Sequence, residues 1–164
     1  MRRRLRVPAV LTALAVLGCA ASGCAALRPV SAQQAGDGIC TPVTAGDPRV
    51  TIGTTFVTAT VDAELVGVEL VEGDNLEVVG WRTRPLVGTL TGTARGFDTA
   101  APEHAIPAGT ERHVEVGYAL IDPARPGRAD AVRLAYRALG RDGLTGATGV
   151  EVTVVPADES CAAY

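Results

Sequence analysis

His104 and His113 are the only two histidines in a chain of 164 residues. Glu111, His113 and Glu115 are spaced by two, so on a strand they share one face. With Glu103 and His104 close in sequence, they outline a loose imidazole and carboxylate set of the kind that holds a metal ion or a small polar ligand. The spacing matches no zinc pattern. Met1 is the only methionine, so a processed chain has no thioether for copper. The same residues also fit a solvated strand face, opposite the apolar alternation Val114, Val116, Tyr118.

Other groups in the sequence admit the same two readings. Asp62, Glu64, Glu69, Glu72, Asp74 and Glu77 cluster in sequence but lack the D-x-[DN]-x-[DN]-G spacing of a calcium loop. They fit a solvated hairpin with charged edges, which also discourage edge-to-edge pairing. Trp81, Arg82 and Arg84 form a possible binding surface for an anionic partner. Strict alternation turns Trp81 away from Leu76 and Val78. A bulge at Gly80 would instead let Trp81 share their core face. No catalytic set emerges. From Cys40 onward Ser160 is the only serine, and G-x-S-x-G, P-loop and G-x-G-x-x-G motifs are all absent. No cofactor is implied.

Four cysteines frame the chain: Cys19, Cys24, Cys40 and Cys161. It opens MRRRLR, runs apolar from Val7 to Leu17 and then turns to small residues. A basic start, an apolar middle and a small-residue exit define a secretory leader. The uncharged stretch Val7 to Leu27 is long enough for a span, at roughly 20 residues, but its second half is only weakly apolar.

The stretches Ala21-Ser22-Gly23-Cys24 and Val16-Leu17-Gly18-Cys19 each fit a lipobox. In this the leader resembles that of bacterial lipoproteins. The resemblance implies a diacylglyceryl group on the cysteine sulfur and cleavage just before it. Two or more acyl chains anchor a protein stably where one is marginal. Lipidation of Cys24 removes Cys19 with the leader and leaves Cys40 and Cys161 as a pair. Lipidation of Cys19, the alternative, leaves Cys24 as an odd exported thiol. Cys40 and Cys161 carry no CxxC spacing, and export favours a disulfide between them over a redox or metal pair.

The charge balance narrows the partners. Removing the four leader arginines leaves 11 Arg against 18 Asp plus Glu, a net charge of −7 from residue 24 onward. An acidic domain is a poor match for nucleic acid, which needs clustered cations. The chain contains no lysine, and it is rich in Ala, Gly, Val and Arg. That is the coding bias of a high-GC genome, and it fits a lipoprotein of high-GC Gram-positive type.

The elements that must position these residues read as strands. Val114–Leu120 and Val150–Val154 alternate apolar and small or polar residues. Residues 55–61 and 65–71 are short, β-branched and apolar. Glu72-Gly73-Asp74-Asn75 between residues 65–71 and 76–81 predicts a hairpin turn. Residues 131–139 fit both a strand and a helical stripe; the Gly-rich step that follows favours strand. The expected organisation is a leader over 1–23, a lipidated flexible tether over 24–39 and one domain over 40–164. The expected fold is an all-β, antiparallel β-sandwich of immunoglobulin-like architecture. The antibody pattern of a Trp soon after the first inter-sheet cysteine is not met, since Trp81 lies 41 residues after Cys40. The functional expectation is a non-catalytic binding module of the cell envelope. It would be lipid-anchored on the outer face of the membrane, with an envelope protein as partner. The alternative is a metal-ion or small-molecule binder using His104, His113 and the nearby carboxylates.

Overall fold

A computed structural model describes residues 29–34, 36, 38–86, 92–98, 103–148 and 150–164. The leader and both lipidation candidates, Cys19 and Cys24, lie outside the described residues. Among the described residues no helix is long and apolar enough to cross a membrane.

The fold is an all-β sandwich. Its strands are β1 (Val30–Gln34), β2 (Gly38–Pro42), β3 (Arg49–Ala59), β4 (Ala63–Val71), β5 (Leu76–Pro85) and β6 (Gly92–Arg95). They continue with β7 (Ala105–Ile106), β8 (Glu111–Leu120), β9 (Gly127–Ala129), β10 (Ala131–Ala138), β11 (Arg141–Leu144) and β12 (Glu151–Val155). One layer is a five-stranded sheet in the order β1-β3-β8-β5, with β6 sharing the β1 edge of β3. The other layer holds β11-β10-β4-β7 and β2-β12-β9. β9 and β10 are separated only by Asp130, so one run of chain leaves the second group of strands and enters the first. Among the described residues all strand pairings are antiparallel except β2 with β12.

A single apolar core fills the space between the layers. Val50, Ile52, Val57, Val114, Val116 and Tyr118 line it from one side; Leu65, Val132, Leu134, Val152 and Val154 meet them from the other. The period-2 pattern of β8 and β12 produces this directly, because alternate side chains fall on one face. β10 is a strand, with Val132, Leu134 and Tyr136 turned inward. Cys40 on β2 is disulfide-bonded to Cys161 in a short 3-10 helix (Cys161–Ala163), with Cα atoms 5.7 Å apart.

Three expectations are corrected. The tether does not extend to residue 39: β1 and the start of β2 belong to the sandwich, and Val30 is fully buried. Val30 pairs with Ala59 and Ala32 with Val57, a short alternation hidden among polar residues. The turn at 72–75 does not close a hairpin. β4 pairs with β10 and β7, whereas β5 pairs with β8, so the turn carries the chain from one layer to the other. Glu72 and Asn75 both adopt positive φ, 51° each. Asn75 then clamps the loop after β8. Its Nδ2 donates to the carbonyls of Asp122, Arg125 and Pro126, and its Oδ1 accepts from Asp122 N at 2.7 Å. The third correction concerns Trp81 and belongs to the site.

Candidate functional site

The outer face of the large sheet carries a cluster of ion pairs and ring contacts. β8 supplies its central row: Val114, Val116 and Tyr118 point into the core, so His113, Glu115 and Gly117 point out. β5 contributes Arg84, Arg82 and Gly80 beside them in register, and β3 contributes Phe56 beside His113.

Gly80 and Gly117 lie side by side and leave a trough, which Phe97 fills. A Cβ at Gly117 would come within 2.4 Å of the Phe97 ring, and one at Gly80 within 2.5 Å. Phe97 is therefore buried, although it lies on the outward side of the sheet. The segment bearing it is fixed by Thr51 Oγ1, which donates to Gly96 O at 2.6 Å. The Arg82 guanidinium sits 5.2 Å from the centre of the Phe97 ring, a cation–π arrangement. Its Nε donates to Glu115 Oε2 at 2.5 Å, and its Nη1 donates to Asp98 O at 3.2 Å. Arg84 Nε donates to the same Glu115 oxygen at 3.3 Å. Burial alone would raise the Glu115 pKa. The hydrogen bonds and charge of Arg82, then Arg84, outweigh it and hold the carboxyl below its ordinary range.

Next along β8, the His113 ring lies against Gly53, where a Cβ would meet its Cε1 at 2.4 Å. The Phe56 ring is 5.3 Å away. His113 is only 4% exposed, and its Nε2 has no hydrogen-bond partner. The outer face is thus covered over His113 and Phe97 and is not simply solvated.

Trp81 is not part of this surface. The β5–β8 register shifts between Val78 and Gly80, so Val78 pairs with Tyr118 and Trp81 with Val116. Both then face inward. Trp81 packs against the core and its Nε1 donates to Leu65 O at 3.4 Å. The bulge turns Trp81 away from the outer face and leaves Arg82 and Arg84 on it.

His104 is also inward, with its ring centre 6.0 Å from that of Trp81. Its carbonyl accepts from Leu65 N at 2.9 Å. The neighbouring Glu103 pairs with Arg112, a buried arginine on the inward side of β8. The carbonyls of Glu103 and Ala105 share the Thr83 hydroxyl hydrogen, which ties this segment to β5, while β7 ties it to β4. His104 and His113 therefore stand on opposite faces of the large sheet. Glu111 is exposed at the start of β8, and Glu115 is engaged by two arginines. Among the described residues, no three His, Cys, Asp or Glu side chains are placed to hold a metal ion. The predicted imidazole and carboxylate set is dispersed.

Sequence reasoning missed Phe97 and the Glu103–Arg112 pair. The available signal was glycine: Gly80 and Gly117 interrupt strands at positions where another group comes close.

No protein-family model matches the chain, and no curated protein matches it in sequence.

Chemically, the face offers one carboxylate held between two guanidiniums, with one positive charge in excess. The Arg84 side chain is 52% exposed, so its planar fork can reach a carboxylate of another molecule.

Proposed function

We propose that this chain is a lipid-anchored, extracytoplasmic β-sandwich that acts by binding, with the Arg82–Arg84–Glu115 face as its contact surface. Its partner is an envelope protein that presents an acidic segment. The observation that carries the reading is the fixed placement of two arginines on the outside of a sheet. Phe97 and Glu115 lock Arg82, while the Arg84 side chain extends into solvent. A preorganised guanidinium loses little freedom on meeting its partner, which favours recognition. The Cys40–Cys161 disulfide agrees with an oxidising location, and the leader supplies the anchor.

The test uses photo-crosslinking residues in the chain expressed in its own membrane. One is placed at Arg84, another at Arg133, which is exposed on β10 in the opposite layer. One adduct specific to position 84, lost on Arg82→Glu, is the expected result. Identical adducts from both positions refute the assignment of the face. The mass of the extracted chain reports separately on lipidation at Cys24.

A further inference from the structure

Pro29, where the described chain begins, sits at one end of the sandwich. Its carbonyl accepts from Thr60 N at 2.9 Å, and Val30 pairs with Ala59. Three residues past Thr60, Ala63 pairs with Ala138, and Leu139 comes next at the tip between β10 and β11. β5 finishes at the same end, because Pro85 pairs with Arg112, next to Glu111, which pairs with Thr58. Leu86, 41% exposed, follows it there. Ile121, at the end of β8, marks the opposite end.

Leu139 is unexplained by the fold. It is 79% exposed and has a φ of 52°. A leucine in the left-handed region is strained, whereas Gly or Asn at such a turn is not. Its apolar side chain gains nothing from the core. Arg137 and Arg141 flank it at a spacing of two. Arg137 is paired with Asp142 at 2.8 Å, while Arg141 makes no ion pair among the described residues. An apolar tip beside a free arginine complements a lipid surface, whose headgroups attract cations and whose acyl region takes apolar groups.

Only residues 25–28 separate Cys24 from Pro29. Five residue steps reach at most about 18 Å. We infer that Leu139 is a second membrane contact, inserted at the lipid interface beside the acylated Cys24. The sandwich then stands with its Pro29 end on the bilayer and its Ile121 end away. This orientation rests on the lipid-anchor reading above and adds to it.

The experiment uses the full, processed chain reconstituted in vesicles of phosphatidylcholine and phosphatidylglycerol, with bromine high on the acyl chains. Leu139→Trp and Ile121→Trp are compared with the parent chain, which carries Trp81 alone. Bromine quenching of the emission added at position 139, with none at 121, is the expected result. Equal quenching at both positions, or quenching at neither, in chains that float with the vesicles overturns the orientation and leaves the anchor intact. Chains that carry no acyl mass and do not float overturn both.

Discussion

Replacing Asn75 with alanine should cost the domain about 3–4 kcal/mol. The side chain makes four contacts with the loop after β8, but its amide has only two hydrogens, so the three carbonyls share them. Two donated bonds and the one accepted from Asp122 N make three effective bonds. At roughly 1 kcal/mol net each, discounted for partial exposure, they contribute about 2–3 kcal/mol. Alanine must also hold a φ of 51°, which adds about 1 kcal/mol for a residue with a Cβ and no local hydrogen bond. Asn75→Gly removes the bonds but not the conformational freedom, so it should cost about 2–3 kcal/mol. The assay is equilibrium unfolding in guanidinium, followed by the fluorescence of Trp81, the only tryptophan in the chain. The midpoint should fall with the slope unchanged. Alanine and glycine variants both within about 0.5 kcal/mol of the parent would refute the clamp. An alanine variant no worse than glycine would refute the backbone argument alone.

Two further outcomes follow from the same geometry. Glu115 has a lowered pKa in the folded state, so the stability it contributes is fully present above the ordinary glutamate range and is lost as pH falls through its folded value. Glu115→Gln should therefore flatten the acid limb of the stability–pH curve and leave the neutral-to-alkaline region parallel to the parent; an unchanged acid limb would remove Glu115 from the account. Reduction of Cys40–Cys161 releases a loop of sequence separation 121 and should lower unfolding stability by about 4–5 kcal/mol in the chain-entropy model, checked by denaturation with and without reductant.

The parts of the fold that were legible in the sequence are those where one face is apolar and the other is not. β8 and β12 alternate cleanly, and the inward row that results is the core itself. β1 was illegible because only Val30 and Ala32 carry its pattern, among a serine and two glutamines. The 72–75 turn has hairpin chemistry, yet turn residues specify a local bend and not which strand pairs with which. That choice is made by β8 and β10, distant in sequence. The site was partly legible. Gly80 signalled the bulge that turns Trp81 inward, and the two-residue spacing put His113 and Glu115 on one face. The burial of that face depends on Phe97 crossing from another segment, a long-range contact that no periodicity encodes.

The disulfide also sets how the protein would respond to proteases. Cys40 and Cys161 close a covalent ring that contains every strand from β3 to β12, while β1 lies on the amino-terminal side of it. A single peptide-bond cut at the exposed Leu139–Gly140 tip opens that ring without dividing the molecule. Both fragments stay joined through the cystine, and the strand pairings that bury the core remain in place. A cut between Gln34 and Cys40 acts differently: it severs β1 from the ring, and the pairing of β1 with β3, with Val30 buried, is then what holds the two pieces together. If the chain is held at its amino-terminal end as proposed, a cut on that side of Cys40 is what frees the ring covalently, whereas a single cut within the ring leaves both pieces tied to that end through the cystine.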